Sequence, residues 1–447
     1  MRQTHRIESL TLKGVGVFEN THFDFPPTES AQRDAGKAEI HIFTGPNGCG
    51  KSTVLYALAA IFDSQTVDPL IKNRFLSDSS CVGFNFASGN GFYALGELGE
   101  QKGEYALISG AGGLRYYGDE NFRTSTERYS RHYDKFAKVN KDPFPYAAFA
   151  YSGSRSVQGQ FRVNAIVDIN DSPFDKALSF ENTCRASLLA QWIANNITKA
   201  ALSKLDNSTE EVKRYQFALQ KIADFIFEIC EVSIEFKLQR HPLAVAFLLD
   251  GCEISFDLLP EGLKSIIHWV ADLALRLEDI PFTQKREIFS QPIILFLDEV
   301  DIHLHPKWQR RILPAIQKLL PNAQVFVSTH SPFVVGSLDD AWVYRLPDPQ
   351  RHILRDASVP EEIVPTESGA GKSIQLILEE VFDVGERFDI ETEKLLTSFK
   401  LVRNDYLQNP KDDTALMSLA DRLRARGEEL EMIIEMELRQ IARRLSK

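Results

Sequence analysis

The stretch Gly45-Pro46-Asn47-Gly48-Cys49-Gly50-Lys51-Ser52 decides how the rest of the chain is read. It fits the pattern GxxxxGK[ST]. A short apolar run, Ile40 to Phe43, precedes it, and Leu55, Leu58, Ala59 and Phe62 follow at helical spacing. Strand, glycine turn and helix are the context in which this pattern holds a phosphate chain. Glycines let the backbone curl until successive N–H groups face one point, and the helix N-terminus adds its positive end. Lys51 then reaches the β- and γ-phosphates, and the Ser52 hydroxyl is placed to ligate Mg²⁺. A second GKS lies in Gly369-Ala370-Gly371-Lys372-Ser373. Thr366 stands where that pattern needs its first glycine, and no buried strand precedes it, so this stretch reads as a loop and a helix start.

Two later runs end in residues suited to the same chemistry. Pro292 to Leu297 (PIILFL) is continuously apolar, the mark of a strand buried on both faces, and it runs into Asp298 and Glu299. Asp298 is the candidate to hold Mg²⁺ through water, and Glu299 the candidate general base for the attacking water. Gln324 to Ser328 (QVFVS) is a second such strand, ending in Thr329, His330 and Ser331. A histidine at that tip can donate a hydrogen bond to a γ-phosphate. The expected catalytic residues are therefore Lys51, Glu299 and His330. The expected nucleotide contacts are Gly45, Pro46, Asn47, Gly48, Cys49, Gly50, Lys51, Ser52 and Thr53, with ATP and Mg²⁺ as cofactors and Ser52 and Asp298 at the metal. His303 and His305 lie two residues apart with no third ligand at suitable spacing, so they read as part of a structural loop.

Around these motifs the pattern alternates between classes. Arg6 to Val15 and Thr21 to Phe25 read as strands, and Thr28 to Lys37 as a loop. Aromatic-rich runs broken by glycine, Gly91 to Leu98 and Tyr105 to Ser109, suggest antiparallel strands, and Phe144 to Tyr151 another buried strand. Residues 173–230 turn helical in composition. Strands return at Val232 to Leu238, Ala244 to Leu249 and Glu253 to Phe256, and helices are expected over Leu263 to Leu277 and 308–320. From about 360 onward the chain reads as helical, with Leu430, Ile434, Leu438, Ile441 and Leu445 forming a stripe that packs on its own domain. The expected domains are 1–172, a first lobe; 173–231, a short helical insertion; 232–345, a second lobe; and 346–447, a helical C-terminal region.

Composition narrows the function classes. The chain has 447 residues, 43% hydrophobic and 25% charged, which suits a globular protein of two or three domains. There are 62 acidic and 51 basic residues, leaving a net charge of −11, so nucleic-acid binding is not supported globally. Five scattered cysteines form no CxxC pair and read as reduced thiols. The opening residues lack an apolar signal core, and no run approaches about 18 apolar residues. A cytoplasmic location and no membrane contact are expected.

Taken together, GPNGCGKST, the acidic strand with its tail LDEVDIHLHPKWQ, and STHSP resemble the ATP-binding-cassette ATPases that include overcoming-lysogenization-defect (OLD) proteins, RecF and the heads of SMC-type proteins. The run Asp298 to Gln309 is similar to the OLD-like branch, and the resemblance covers roughly residues 1–345. It implies an α/β head with a mixed core sheet and an antiparallel lobe, working as a homo-oligomer in which two heads sandwich two nucleotides. It also implies a signature motif before the acidic strand. Leu259-Pro260-Glu261-Gly262-Leu263-Lys264-Ser265 sits there, with Gly262 as the candidate contact to the opposing nucleotide. Pro260 stands where the family has a serine, which removes a hydroxyl contact. Tyr151-Ser152-Gly153-Ser154-Arg155 resembles the family's metal-sensing loop, with Gln158 or Gln160 as its glutamine. SMC-length coiled coils are absent, and the tail lacks the DxD pair of the Toprim nuclease domain in full OLD proteins. The resemblance therefore implies an ATPase subunit of a prokaryotic antiphage system, of the Septu, PARIS or retron-associated kind, with a nuclease or toxin effector as partner. The alternatives it leaves are a RecF-like DNA-repair ATPase and a slowly hydrolysing nucleotide-bound scaffold.

Overall fold

The computed structural model describes residues 5–32, 36–62, 70–86, 89–95, 106–109, 114–119, 143–153, 161, 163, 165–180, 183–184, 186–349, 360–369 and 371–445. Two compact units divide the chain, Met1–Ile377 and Leu378–Lys447.

The first unit is built on two large sheets. Its core sheet contains β3 (Glu39–Thr44), β8 (Ala147–Tyr151), β12 (Ile293–Leu297), β13 (Ala323–Ser328), β14 (Trp342–Arg345) and β16 (Thr366–Glu367), in the order β16-β14-β3-β13-β12-β8. All but β16 run parallel. Every residue of β3, β8, β12 and β13 is buried, as strands covered on both faces require. Phe43, Phe326 and Phe296 stack across three neighbouring strands, with ring centroids 6.4 and 5.6 Å apart. Helices α1 (Lys51–Ala59), α4 (Glu261–Asp279) and α5 (Pro306–Leu319) carry the chain between the motifs.

The second sheet has seven strands: β1 (Ile7–Val15), β2 (Phe18–Asp24), β4 (Cys81–Phe86), β5 (Gly89–Ala94), β6 (Ala106–Ser109), β7 (Arg115–Gly118) and β15 (Glu361–Ile363). They are ordered β15-β2-β1-β4-β5-β7-β6 and are antiparallel except β15 against β2. A buried polar cluster staples this sheet to the core sheet. Gln324 exchanges two hydrogen bonds with the Ile7 backbone, at 2.8 and 2.9 Å. Arg6 pairs with Glu39, which is also 2.7 Å from His41 Nε2. A third, small sheet, β11-β10-β9, holds β9 (Ile234–Arg240), β10 (Leu243–Leu249) and β11 (Cys252–Ile254), beside the helical hairpin α2 (Ala186–Leu205) and α3 (Thr209–Cys230). This is the expected α/β class, with a mixed core sheet, an antiparallel lobe and a helical insertion.

Three stretches depart from the sequence reading for identifiable reasons. Within the expected loop Thr28 to Lys37, Glu29–Gln32 form one helical turn, because Asp340, distant in sequence, accepts from the Glu29 and Ser30 N–H groups at 2.9 Å each. Helix was expected from residue 173, yet α2 begins at Ala186. The carbonyls of Pro173, Asp175 and Thr183 accept instead from the buried Arg276 guanidinium of α4, at 2.7, 2.9 and 2.8 Å. Helix was also expected from about 360, yet Glu361–Glu367 supply two short sheet strands and α6 (Ile374–Phe382) begins later. Pro360, Pro365 and Gly371 resist a helix over that span, the prolines by lacking a donor.

The second unit packs α7 (Ile390–Gln408), α8 (Thr414–Arg424) and α9 (Glu428–Leu445) around Phe399, Leu416, Ala420, Leu423, Leu430, Ile434 and Ile441. Leu430, Ile434, Leu438 and Ile441 of the expected α9 stripe thus close their own core, whereas Leu445 at its end is exposed.

Candidate functional site

Register brings the motifs to one edge. Ser328 pairs with Phe43, Leu297 with Val327, and Tyr151 with Leu297, so the carboxyl ends of β3, β13, β12 and β8 lie level. Parallel strands stand about 4.8 Å apart, which puts the four following loops within one side chain's reach of their neighbours. A parallel sheet presents its ligand crevice at this edge.

The glycine turn after β3 has the backbone that its sequence anticipates. Gly45, Gly48 and Gly50 hold φ of 147°, 79° and 96°, angles that L side chains rarely adopt. A Cβ on Gly50 would lie 2.6 Å from the Phe18 ring, and one on Gly45 would lie 2.7 Å from the Leu346 carbonyl. A Cβ on Gly48 would meet nothing within 4 Å, so that side of the turn is open. Pro46, Asn47 and Gly48 are exposed, whereas Cys49 and Lys51 are buried. Lys51 is the first residue of α1, and its ammonium donates to the Gly45 and Pro46 carbonyls at 3.0 Å each. Ser52 is half-buried in the same first turn. Thr53 is buried and accepts from Arg74 Nε at 3.1 Å. Arg74, which the sequence reading did not single out, also covers the Tyr56 ring at 4.7 Å. Burial holds the Cys49 thiol above its ordinary value despite the nearby Lys51.

The acidic strand ends in a tightly held loop. Asp298 is buried, its N–H donates to the Tyr151 carbonyl at 2.9 Å, and its carboxylate accepts from Ser328 Oγ at 2.5 Å. Ser328 Oγ also accepts from the Glu299 N–H at 2.7 Å, so one hydroxyl on β13 orients both acids. Glu299 has φ of 49°, a left-handed conformation uncommon for a side chain of its size, and its carboxyl is half-buried. The close approach of β8's continuation explains Gly153, since a Cβ there would lie 2.4 Å from the Glu299 carbonyl. Gly153 therefore lies against the acidic loop, and Ser152 donates its N–H to the Phe180 carbonyl at 3.3 Å, while Ser154, Arg155, Gln158 and Gln160 lie outside the described residues.

His330 projects from the next loop, between two anchored neighbours. Thr329 donates its N–H to the Phe43 carbonyl at 3.1 Å and its hydroxyl to Asp301 at 2.6 Å. Ser331 donates its hydroxyl to Gln309 at 2.7 Å. The electrostatics tie the three motifs together. Burial, then the Asp298 and Asp301 carboxylates, raise the Glu299 carboxyl above its ordinary value, and Lys51 opposes them. Partial burial and Lys51 lower the His330 imidazole, against the pull of Asp301 and Asp298. The same three charges, Lys51, Asp298 and Asp301, thus bear on both Glu299 and His330, which come from separate strand ends.

Other candidates have different surroundings. Gly262 lies in the first turn of α4, where a Cβ would sit 2.6 Å from the His303 carbonyl, so close packing of helix on loop demands glycine there. Pro260 is the exposed N-cap of α4, and its carbonyl accepts from the Lys264 N–H at 3.0 Å. His305 caps α5, its Nδ1 accepting from Lys307 N at 3.3 Å, and His303 is exposed at φ 61°. Sequence reading missed Ser328, Thr329, Asp301 and Gln309 as supports. Their signal was present in the same two motifs, but which polar side chain bonds which is a tertiary fact.

Comparison with known proteins matches residues 9–230 to a family model described as "AAA domain", and residues 248–336 to one described as "AAA domain, putative AbiEii toxin, Type IV TA system". A retron Ec83 probable ATPase of Escherichia coli is 28% identical over 220 residues, covering 47% of this chain but 38% of that protein's length. The Septu protein PtuA of Bacillus thuringiensis is 22% identical over 334 residues, covering 74% of this chain and 72% of its own. Among solved structures, the SMC head domain from Thermotoga maritima aligns with a TM-score of 0.41 at 15% identity, covering 81% of this chain and 99% of that one.

Proposed function

We propose, on the premise that the chain is an AAA/ABC-type P-loop ATPase related to retron and Septu ATPases of antiphage defence, that it binds Mg-ATP at the carboxyl edge of its core sheet and hydrolyses it to control a partner effector. The observation that carries this reading is the level register of β3, β13 and β12, which brings the Lys51 turn, the Asp298–Glu299 loop and the His330 loop to one sheet edge, with Ser328 bonding both acids there.

The residues fit the cofactors. The turn is open at Gly48, and its glycine angles suit a backbone that curls around phosphate oxygens. Lys51, free to exchange the Gly45 and Pro46 carbonyls for phosphate oxygens, would neutralise the β- and γ-phosphates. Ser52 and Asp298 would hold Mg²⁺ together with phosphate and water, the ligation this ion prefers. When bound, the metal would offset developing charge on the phosphate oxygens. Glu299, with its raised proton affinity, is suited to take a proton from the attacking water. His330, kept neutral near pH 7 by its lowered value, would donate one N–H to the γ-phosphate without adding charge. Gly262 at the start of α4 is the candidate contact from a second copy's head, and assembly would then follow nucleotide state.

Glu299→Gln tests this. The variant should bind ATP normally, turn it over at least 100-fold more slowly than wild type, and increase in mass on ATP addition as heads pair. Turnover equal to wild type would remove Glu299 from the reaction. A constant mass with and without ATP would remove the paired-head reading.

A further inference from the structure

We infer that Gln309 is a positioning residue for His330, its side-chain amide tying the loop after the acidic strand to the loop that carries the histidine. This rests on the ATPase reading for its consequence in turnover, but not for its geometry.

Gln309 lies in the first turn of α5 and is half-buried, although a glutamine on a helix surface is ordinarily free to face water. Its Nε2 donates to the Leu304 carbonyl at 2.9 Å and the Asp301 carbonyl at 3.3 Å. Its Oε1 accepts from Ser331 Oγ at 2.7 Å. Two carbonyls on one side require the amide N–H₂ there, so the orientation of the group is set by its partners. Ser331 Oγ accepts in turn from the Phe333 and Val334 N–H groups at 3.1 and 3.4 Å, capping the single turn Pro332–Val335. On the other flank of His330, Thr329 Oγ1 bonds Asp301 and accepts from Ser331 N at 3.0 Å. The histidine is therefore held from both sides by the acidic loop: directly through Asp301 and Thr329, and through Gln309 and Ser331. Of these links, only the Gln309 amide comes from a regular helix, whose backbone is a fixed reference for both loops. Glutamate there would lose the donors and face two carbonyls. Methionine would fill the space and bond neither loop.

The test uses the full chain and the variants Gln309→Met and Ser331→Ala, which break the same bond from opposite ends. The His330 ring resonance, assigned by its loss in His330→Ala, is titrated by NMR, and ATP turnover is measured alongside. In both variants the His330 midpoint should move toward the ordinary value of 6.5, with kcat down about tenfold and KM within about twofold, since Gln309 does not reach the glycine turn. In a His330→Ala background, Gln309→Met should cost less than about twofold more, because its effect passes through the ring. An unchanged His330 titration in a folded variant would overturn the inference, as would an equal loss of turnover with and without His330. A wild type that binds but never hydrolyses ATP would overturn the ATPase reading instead, and the titration would still decide the role of Gln309.

Discussion

The chain carries Gly-Lys-Ser twice, at Gly50–Ser52 and at Gly371–Ser373, and the two copies live in different surroundings. The first follows a central, fully buried parallel strand, and its lysine is buried with the ammonium turned back into the glycine turn. The second follows β16, a two-residue antiparallel edge strand, and its lysine is exposed. Ser373 accepts from the Leu376 N–H at 3.2 Å, an ordinary cap at the start of α6. Gly369 serves close packing, since a Cβ would lie 2.8 Å from Ile377. The first copy is delivered by a central strand to the sheet edge where acids from a nearby strand also arrive, and the second is not. Helix starts with a glycine and a serine are common, but a helix start beside Asp298 and Glu299 is a property of strand order.

That contrast can be broken experimentally, most severely at the first lysine. Lys51→Ala should weaken ATP binding at least 100-fold, about 2.7 kcal/mol or more, by calorimetric titration, and binding at wild-type affinity would mean the first copy is no different from the second. Gly153→Ala should come next. Its new Cβ meets the Glu299 backbone, so the strand ends must part, at a cost of about 1–3 kcal/mol in a denaturant melt and with a drop in turnover; an unchanged melt would show that the acidic loop yields freely. A smaller effect sharpens the electrostatic side. Folding raises the Glu299 carboxyl above its ordinary 4.5, so the folded state binds the proton more tightly and ionisation destabilises the fold. That penalty is absent below pH 4.5, grows as pH rises through the folded value, and is complete above it. Glu299→Gln should therefore melt higher than wild type at neutral pH, with the difference vanishing on acidification toward pH 4.5; a lower melting temperature at neutral pH would reverse the sign. Smallest of all, Lys372→Ala should leave ATP affinity within about twofold of wild type, because nothing about that exposed lysine suits a phosphate.

How much was readable in advance varies from residue to residue. The strand-turn-helix around Lys51 and the apolar strand before Asp298 were legible because each is a local pattern with a local cause: burial on both faces, glycine angles and helical spacing. Ser328 was not legible as the group that orients both acids, because its role depends on β13 lying between β3 and β12. The late start of α2 was hidden for the same reason, since it follows from Arg276, about a hundred residues away, taking three carbonyls. Gly262 reads from sequence as a nucleotide contact, and the fold adds a packing requirement against His303 that accounts for the glycine independently.

From its residues alone this protein declares an α/β class, a glycine turn of the GxxxxGK[ST] pattern, two acids at a strand end and a histidine at another, because strand burial, helix periodicity and glycine freedom act over a few neighbours along the chain. Tertiary structure decides that these ends lie level at one edge and that Lys51 bears on Glu299 and His330. It also decides that Gln309 and Ser328 hold the loops in place, because hydrogen-bond partners and Coulomb neighbours are set by distance through space.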